Sequence, residues 1–160
     1  TAGVGIDKWI ARYEADNDMY SSIMLKALAD RLAEAFAELL HHKVRTQLWG
    51  YSKNEKLNVS EMIKERYDGI RPAFGYPACP EHSEKRTLFN LLKVEETIGL
   101  SLTEHFAMTP TAAVSGLYFA HPGSRYFGVG KIDHDQLDDY CKRKGVEKGF
   151  IEKLIRPNLL

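Results

Sequence analysis

A proline-rich stretch between Ile70 and His82 carries the residue types best suited to hold a small molecule. The planar guanidinium of Arg71 can grip a carboxylate through two parallel hydrogen bonds. Ala73 and Gly75 leave the backbone uncovered for a ligand to approach, and Tyr76 adds an aromatic face beside them. This combination suits a zwitterionic ligand that carries a flat heterocycle. The alternative is a stiff proline turn whose arginine pairs with a surface acid.

A second candidate segment starts at Tyr126 and Phe127. Successive residues of an extended strand point to opposite faces, so one ring packs inward and the other is able to line a cleft. Gly128 and Gly130 share the face of Tyr126 and leave the strand backbone open to a ligand. Core packing is the simpler explanation of the aromatic pair, and the two glycines are equally consistent with a β-bulge.

Two further side chains could contribute charge to a site. Lys26, Asp30, Glu34 and Glu38 recur every fourth position and form a polar row that faces either solvent or a ligand. Glu34 on this row could balance an ammonium or sulfonium charge, although a solvated helix face is the simpler explanation of this residue. His82 closes the proline-rich stretch, and a histidine there is more often part of a turn or a helix cap.

The patterns typical of catalysis are missing from the sequence. It has no nucleophile elbow, no phosphate-binding loop of the Walker type and no Rossmann glycine fingerprint. Cys79 and Cys141 are far apart, which fits a reducing compartment better than a disulfide framework. His41 and His42 are adjacent and have no further ligand at the spacing of a zinc site, so no metal is expected. These residues predict a small-molecule binding module.

The overall composition excludes several classes of protein. The chain has 160 residues, of which 44% are hydrophobic, so one globular domain is expected. Its 22 basic residues balance its 22 acidic residues, and the chain therefore lacks the positive field of nucleic-acid-binding proteins. No apolar run approaches the roughly 20 residues that a membrane span needs. We therefore expect a cytoplasmic protein that binds neither nucleic acid nor membranes.

The periodicity of the apolar residues predicts several helices. A long amphipathic helix is expected from Met19 to about Trp49, with a stripe in every fourth position. The stripe consists of Met24, Leu28, Leu32, Phe36, Leu40, Val44 and Leu48. A short helix is predicted from Ser60 to about Tyr67, and another starts at a Ser83 cap and stops at Gly99.

The second half of the chain mixes strands and helices. Ala112–Ala120 and Arg125–Ile132 are rich in β-branched and aromatic residues and predict an antiparallel hairpin, to which Leu100–Met108 could add a third strand. A capping box that starts at Asp133 opens a helix that ends at Gly145, and a last short helix runs to about Ile155. Helices and strands are segregated, which predicts an α+β fold with an antiparallel sheet, flanking helices and one long central helix.

Several long motifs resemble the activation domain of cobalamin-dependent methionine synthases. They are the segments 26–38, 69–80, 102–104, 114–119, 135–145 and 157–159, so the resemblance covers nearly the whole chain. The resemblance implies a domain that binds S-adenosylmethionine and presents its methyl group to cobalamin carried by a neighbouring domain of the same polypeptide. A flavodoxin or a flavoprotein reductase supplies one electron, and inert cob(II)alamin is returned to methylcobalamin. The chain would then be part of a methyltransferase of methionine biosynthesis.

The resemblance also assigns roles to individual residues. The carboxylate-binding arginine of the family falls on Arg71, and its close backbone contacts to the ligand fall on Ala73 and Gly75. Tyr76 would lie near the corrin, and the acidic helix residue falls on Glu34. The ligand-lining aromatic pair falls on Tyr126 and Phe127. Because the methyl group is transferred directly to cobalt, the protein contributes position and charge, and no catalytic acid or base is expected.

The sequence departs from the family in three ways. Phe74 stands where the family usually has a proline, and Phe127 stands where some members have a second tyrosine. The family's domain also begins well upstream and includes an aspartate that helps to hold the ligand's amino group. Residues 1–160 are therefore expected to be the C-terminal portion of such a domain, truncated at its N-terminal side.

Two other functions remain open on the sequence alone. One is a docking module for a cobalamin-binding domain or a flavoprotein reductase, in which Arg71 and Tyr126 would be dispensable for ligand binding. The other is a freestanding enzyme that uses S-adenosylmethionine on another substrate, which would need an acceptor pocket within this chain.

Overall fold

The computed structural model describes residues 1–160 and consists of seven α-helices and a minimal antiparallel sheet. Strand β1 (Ser101–Leu102) pairs with β2 (Met108–Thr109). The helices are α1 (Asp7–Ala15), α2 (Met19–Lys43), α3 (Val59–Ile63), α4 (Glu84–Leu92), α5 (Val94–Ile98), α6 (His134–Lys144) and α7 (Lys148–Leu154). The predicted α+β class with one long helix is confirmed.

The helix ends follow local capping rules. The carboxylate of Asp18 accepts the Ser21 N–H and starts α2, which continues through a π-helical turn at Val44–Leu48, as the prediction to Trp49 required. The predicted capping box at Asp133 and the left-handed Gly145 after α6 are both confirmed. Helix α3 is shorter than predicted and is capped by Asn58 instead of Ser60.

The predicted helix after Ser83 is interrupted once. Lys93 adopts a left-handed conformation with φ 49°, which separates α4 from α5, and α5 ends at Gly99 as expected. The Ser83 side chain does not cap α4, because its hydroxyl donates to the Glu81 carboxylate. The predicted helix start at Ser83 is confirmed, but the predicted capping by its side chain is wrong.

The predicted hairpin of Ala112–Ala120 with Arg125–Ile132 is wrong. The only paired strands are β1 and β2, which lie in and just beyond the segment that was expected to add a third strand. Phe119 pairs instead with Ile70, and Ile132 pairs with Leu159. Alternating β-branched residues identify extended backbone but do not specify its partner, and here distant segments take the hydrogen bonds.

Most of the predicted apolar stripe of α2 is exposed. Leu28 and Leu32 are 53% and 62% exposed, whereas α2 buries the small residues Ala29 and Ala33. Helix α1 packs along α2. Periodicity detects an apolar helix face but not whether anything covers it. No helix has the length and apolar character that a membrane crossing requires.

Two small clusters form the core. One joins α6 and α7 through Leu137, Cys141, Ile151 and Ile155, and the other joins α4 and α5 through Phe89 and Val94 with Leu100. The first cluster fixes α6, which in turn holds the end of the proline-rich stretch described below.

Candidate functional site

The segment 70–82, here called the proline loop, has no regular structure, as predicted, and its first residues lie against the segment 117–119. Ile70 and Phe119 exchange two backbone hydrogen bonds of 3.0 Å, and the Pro72 carbonyl accepts the Leu117 N–H at 3.0 Å. A Cβ at Gly116 would lie 2.7 Å from the Pro72 oxygen, so only glycine permits this approach. The start of the loop, and Arg71 within it, is therefore fixed by backbone pairing.

Arg71 is held by α2 at the side-chain end and by Tyr126 at the backbone. Its Nη2 donates to Glu38 Oε2 at 2.6 Å, and its Nη1 lies 3.3 Å from His41 Nδ1. Its backbone N–H donates to Tyr126 Oη at 3.1 Å. A guanidinium has five N–H donors and these two partners take one each, which leaves three. Since the side chain of Arg71 is 25% exposed, an incoming carboxylate can reach it.

His41 lies fully buried behind Arg71. Its ring stacks on Tyr118 and meets Tyr67 edge-on, with both ring centroids 4.8 Å away. Its Nε2 lies 3.3 Å from Tyr51 Oη. Burial, aided by the positive charge of Arg45, lowers the pKa of His41 to about 4. The imidazole is therefore neutral at physiological pH.

A buried ion pair involves Arg45, one helical turn after His41. Arg45 donates to both carboxylate oxygens of Glu55, at 2.6 and 2.8 Å, and its guanidinium lies 4.0 Å from the centre of the Tyr67 ring. His42 contacts the same carboxylate at 3.0 Å. The hydrogen bond from Arg45 lowers the pKa of Glu55, so this carboxylate stays charged.

The middle of the proline loop exposes backbone, as the sequence predicted. The Ala73 N–H and the Gly75 carbonyl make no hydrogen bond within the chain, whereas the Gly75 N–H donates to the Cys79 carbonyl at 2.8 Å. Gly75 has a φ of +96°, which strongly favours glycine. Tyr76 is 66% exposed and presents its ring to the surface. Two backbone groups and one aromatic face are thus available to a ligand.

The end of the proline loop is anchored on α6. The Glu81 carboxylate is buried and accepts hydrogen bonds from Lys144 Nζ, Tyr140 Oη and Ser83 Oγ. Burial alone would raise the pKa of Glu81, but the bonds from Lys144 and Ser83 lower it overall. Because Glu81 and Lys144 are both held in a poorly solvated site, the loop end has little freedom to move.

Tyr126 and Phe127 line two different cavities beside the proline loop. Phe127 lines a cavity of about 410 Å³ together with Pro72 and Leu117, and Tyr126 lines a second cavity of about 300 Å³. The two rings face different cavities, but the predicted inward packing of one ring is wrong, because Tyr126 and Phe127 are 45% and 62% exposed. The backbone there is not part of a sheet. Arg71 lines neither cavity but adjoins the second one, because its backbone N–H donates to Tyr126 Oη.

Glu34 lies apart from the other predicted site residues. It is exposed on α2 and pairs with Arg31 at 3.0 Å. Glu38, one helical turn later, is the acid that contacts Arg71. The sequence contained the signal, because both glutamates belong to the polar row, but periodicity could not tell which turn of α2 the proline loop would reach.

His41 was missed for a related reason. The sequence drew attention to His82, which lies against Gly75 and receives a hydrogen bond of 2.9 Å from Lys85. His41 was considered only as a metal ligand, and the structure contains no cluster of three or more metal-ligating side chains. A histidine in the middle of a helix becomes recognisable as a site residue only when the elements packed around it are known.

The chain is similar to one protein family and to a solved structure. The family model of the activation domain of vitamin B12 dependent methionine synthase matches residues 1–145. A crystal structure of the MetH reactivation domain bound to AdoHcy matches with a TM-score of 0.93 and 56% sequence identity. The match covers 96% of this chain but 47% of that chain, so this chain spans about half the length of the solved relative.

Proposed function

Because the chain belongs to the family of vitamin B12 dependent methionine synthase activation domains, we propose that it binds S-adenosylmethionine through Arg71 and the proline loop. One observation carries this proposal. Arg71 keeps three N–H donors free, and the Ala73 N–H and the Gly75 carbonyl, two and four residues further along the same loop, are unpaired. A carboxylate with an adjoining polar group is the ligand chemistry that this arrangement fits.

The relative that binds AdoHcy supports the identity of the ligand. AdoHcy carries an amino acid carboxylate and an adenosine group, and S-adenosylmethionine differs from it by one methyl group on sulfur. At 56% identity we expect the proline loop to keep its backbone conformation. We therefore assign the ligand carboxylate to Arg71 and close backbone contacts to Ala73 and Gly75, with Tyr126 and Phe127 lining the ligand. The contact of Glu34 with the positive end of the ligand remains a prediction.

The role of the bound ligand follows from the family. We propose that it is a methyl donor for the reductive methylation of cob(II)alamin to methylcobalamin. Cobalamin, when presented by its own domain, supplies the metal that accepts the methyl group. Tyr76 is 66% exposed at the outer face of the proline loop, and an exposed aromatic ring there fits contact with a flat macrocycle. The residues of this chain bind and orient the donor, and no general acid or base is expected among them.

The partners are proposals of the same kind. We propose that the chain works beside a cobalamin-binding domain of the same polypeptide and receives an electron from a flavodoxin or a flavoprotein reductase in the cytoplasm. We also propose that residues 1–160 are the C-terminal portion of a larger activation domain. The solved relative is about twice as long, and the exposed apolar stripe of α2 offers a surface for further polypeptide.

Calorimetric titration of S-adenosylmethionine tests the proposed function. It should be done with this chain and with a version extended to the full length of the solved relative. We expect one ligand per chain in the extended protein and weaker binding by residues 1–160. If neither protein binds, docking of a partner protein on the α2 stripe becomes the better account.

A further inference from the structure

The Arg71 guanidinium is held by two side chains of α2. Its two terminal nitrogens engage different residues, Glu38 at 2.6 Å and His41 at 3.3 Å, one turn apart on the same helix. An unrestrained arginine loses most of its rotamer freedom when a ligand fixes it. A guanidinium that is already fixed avoids most of that loss, because its geometry is preorganised.

We propose that Glu38 and His41 are positioning residues, which hold the Arg71 guanidinium so that its free N–H groups face the carboxylate of the ligand. This inference rests on the proposed function, since it takes Arg71 as the carboxylate-binding residue. Glu38 supplies the charge that balances Arg71, and His41 supplies a neutral acceptor that sets the plane of the guanidinium.

The hydrogen-bond chain fixes the tautomer of His41. An arginine can only donate, so His41 Nδ1 must be the acceptor and Nε2 must carry the proton. Nε2 then donates to Tyr51 Oη at 3.3 Å, and the Tyr51 hydroxyl donates to the Asp68 carbonyl at 3.3 Å. All three hydrogen bonds in this series therefore run in the same direction, from Arg71 through His41 and Tyr51 to Asp68. Protonation of Nδ1 would place an N–H against the guanidinium and break the contact with Arg71.

Unsatisfied polar atoms concentrate around the same residues. Four buried side-chain atoms have no hydrogen-bond partner, and three of them, on Glu38, Arg45 and Tyr67, belong to the cluster around Arg71 and His41. Leaving a buried polar atom unpaired destabilises the folded chain. A cluster selected for stability alone would avoid this cost, and natural proteins break such rules mainly at functional sites.

The test compares ligands with and without a carboxylate. S-adenosylmethionine and decarboxylated S-adenosylmethionine share every group except the one that Arg71 would bind. The test variant is Glu38→Ala, which removes the ion pair with Arg71. The control variant is Asp30→Asn, which removes an exposed charge elsewhere on α2. We expect Glu38→Ala to weaken S-adenosylmethionine about tenfold and the decarboxylated ligand less than twofold, and Asp30→Asn to change neither.

Nuclear magnetic resonance provides a readout that does not depend on the ligand. We expect His41 to show a protonated Nε2 and an unprotonated Nδ1, and the Arg71 Nε–H to be rigid in the parent chain and mobile in Glu38→Ala. The opposite tautomer, a mobile Arg71 in the parent, or an equal loss of both ligands in Glu38→Ala overturns the positioning role. Absence of S-adenosylmethionine binding by both the parent chain and its extended version would instead refute the proposed function.

Discussion

The backbone of Gly75 lies directly against the imidazole of His82. A Cβ at Gly75 would lie 2.1 Å from the ring carbon Cε1 and 2.6 Å from Nε2. Gly75 also has a φ of +96°, a conformation that residues other than glycine rarely adopt. The exposed Gly75 carbonyl, which we assign to the ligand, therefore depends on a glycine and a histidine that are seven positions apart in the sequence.

Gly75→Ala should distort the proline loop. We expect a loss of about 2–3 kcal/mol in the free energy of unfolding, from backbone strain together with steric overlap, and a weaker affinity for S-adenosylmethionine. Gly145→Ala is the matched control, because Gly145 has a similar φ of +71° with nothing within 4 Å of its Cβ position. It should lose about 1 kcal/mol and keep its ligand affinity. Urea denaturation and calorimetry measure both, and equal effects of the two variants would contradict the close contact.

The ion pair between Glu81 and Lys144 should matter for stability. Glu81 is buried, so Lys144→Met would leave a charged carboxylate without its partner and should cost about 3–5 kcal/mol. The neighbouring Arg143 forms an exposed pair with Asp139, and Arg143→Met should cost less than about 1 kcal/mol. Urea denaturation at neutral pH compares the two, and a similar small cost for both would refute the anchoring of the proline loop on α6.

The ionisation of His41 should give a pH-dependent stability. Burial, together with the charges of Arg45 and Arg71, lowers its pKa to about 4 against the opposing charges of Glu38 and Glu55. The unfolded chain binds the proton near pH 6.5, so the stabilisation is complete above that pH and is lost as the pH falls towards 4. The loss should total about 3 kcal/mol at most.

The His41 ring can be followed directly by nuclear magnetic resonance during an acid titration. We expect its ring signals to shift with a midpoint near pH 4. A midpoint near pH 6.5 would show that the ring is solvated or paired with a carboxylate, which is incompatible with the neutral acceptor that Arg71 requires.

Because the apolar stripe of α2 is exposed, replacing one of its leucines by a polar residue should hardly change the stability of this chain. Leu32 is 62% exposed, so Leu32→Gln in this chain should change the free energy of unfolding by less than about 0.5 kcal/mol. The adjacent Ala33 is 4% exposed, and Ala33→Leu should cost about 1–3 kcal/mol through overpacking. Thermal denaturation of both variants checks the direction in which α2 faces, and the reverse order would place the stripe in the core.

Much of the fold could be predicted because its signals are local. The capping box at Asp133, the left-handed Gly145 and the proline spacing of the loop act within a few residues, and each occurs as expected. The partner of an extended strand is a different matter. Phe119 pairs with Ile70 across the chain, and no local pattern distinguishes this partner from a hairpin.

The candidate site was predictable in part for the same reason. Arg71 and Gly75 stand out because proline and glycine constrain the loop between them. Glu38 and His41 lie on an ordinary stretch of helix, and their importance depends on the place where Arg71 contacts α2. Identifying them required the packing of two elements that are about thirty residues apart.

The central claim is that Arg71 binds the carboxylate of S-adenosylmethionine, and calorimetric comparison of the parent chain with Arg71→Ala tests it most directly. Loss of two charge-assisted hydrogen bonds should weaken binding on the order of one-hundredfold. Arg86→Ala, which removes an exposed arginine paired with Glu95, should leave the affinity unchanged. Unchanged affinity in a folded Arg71→Ala protein would contradict the account.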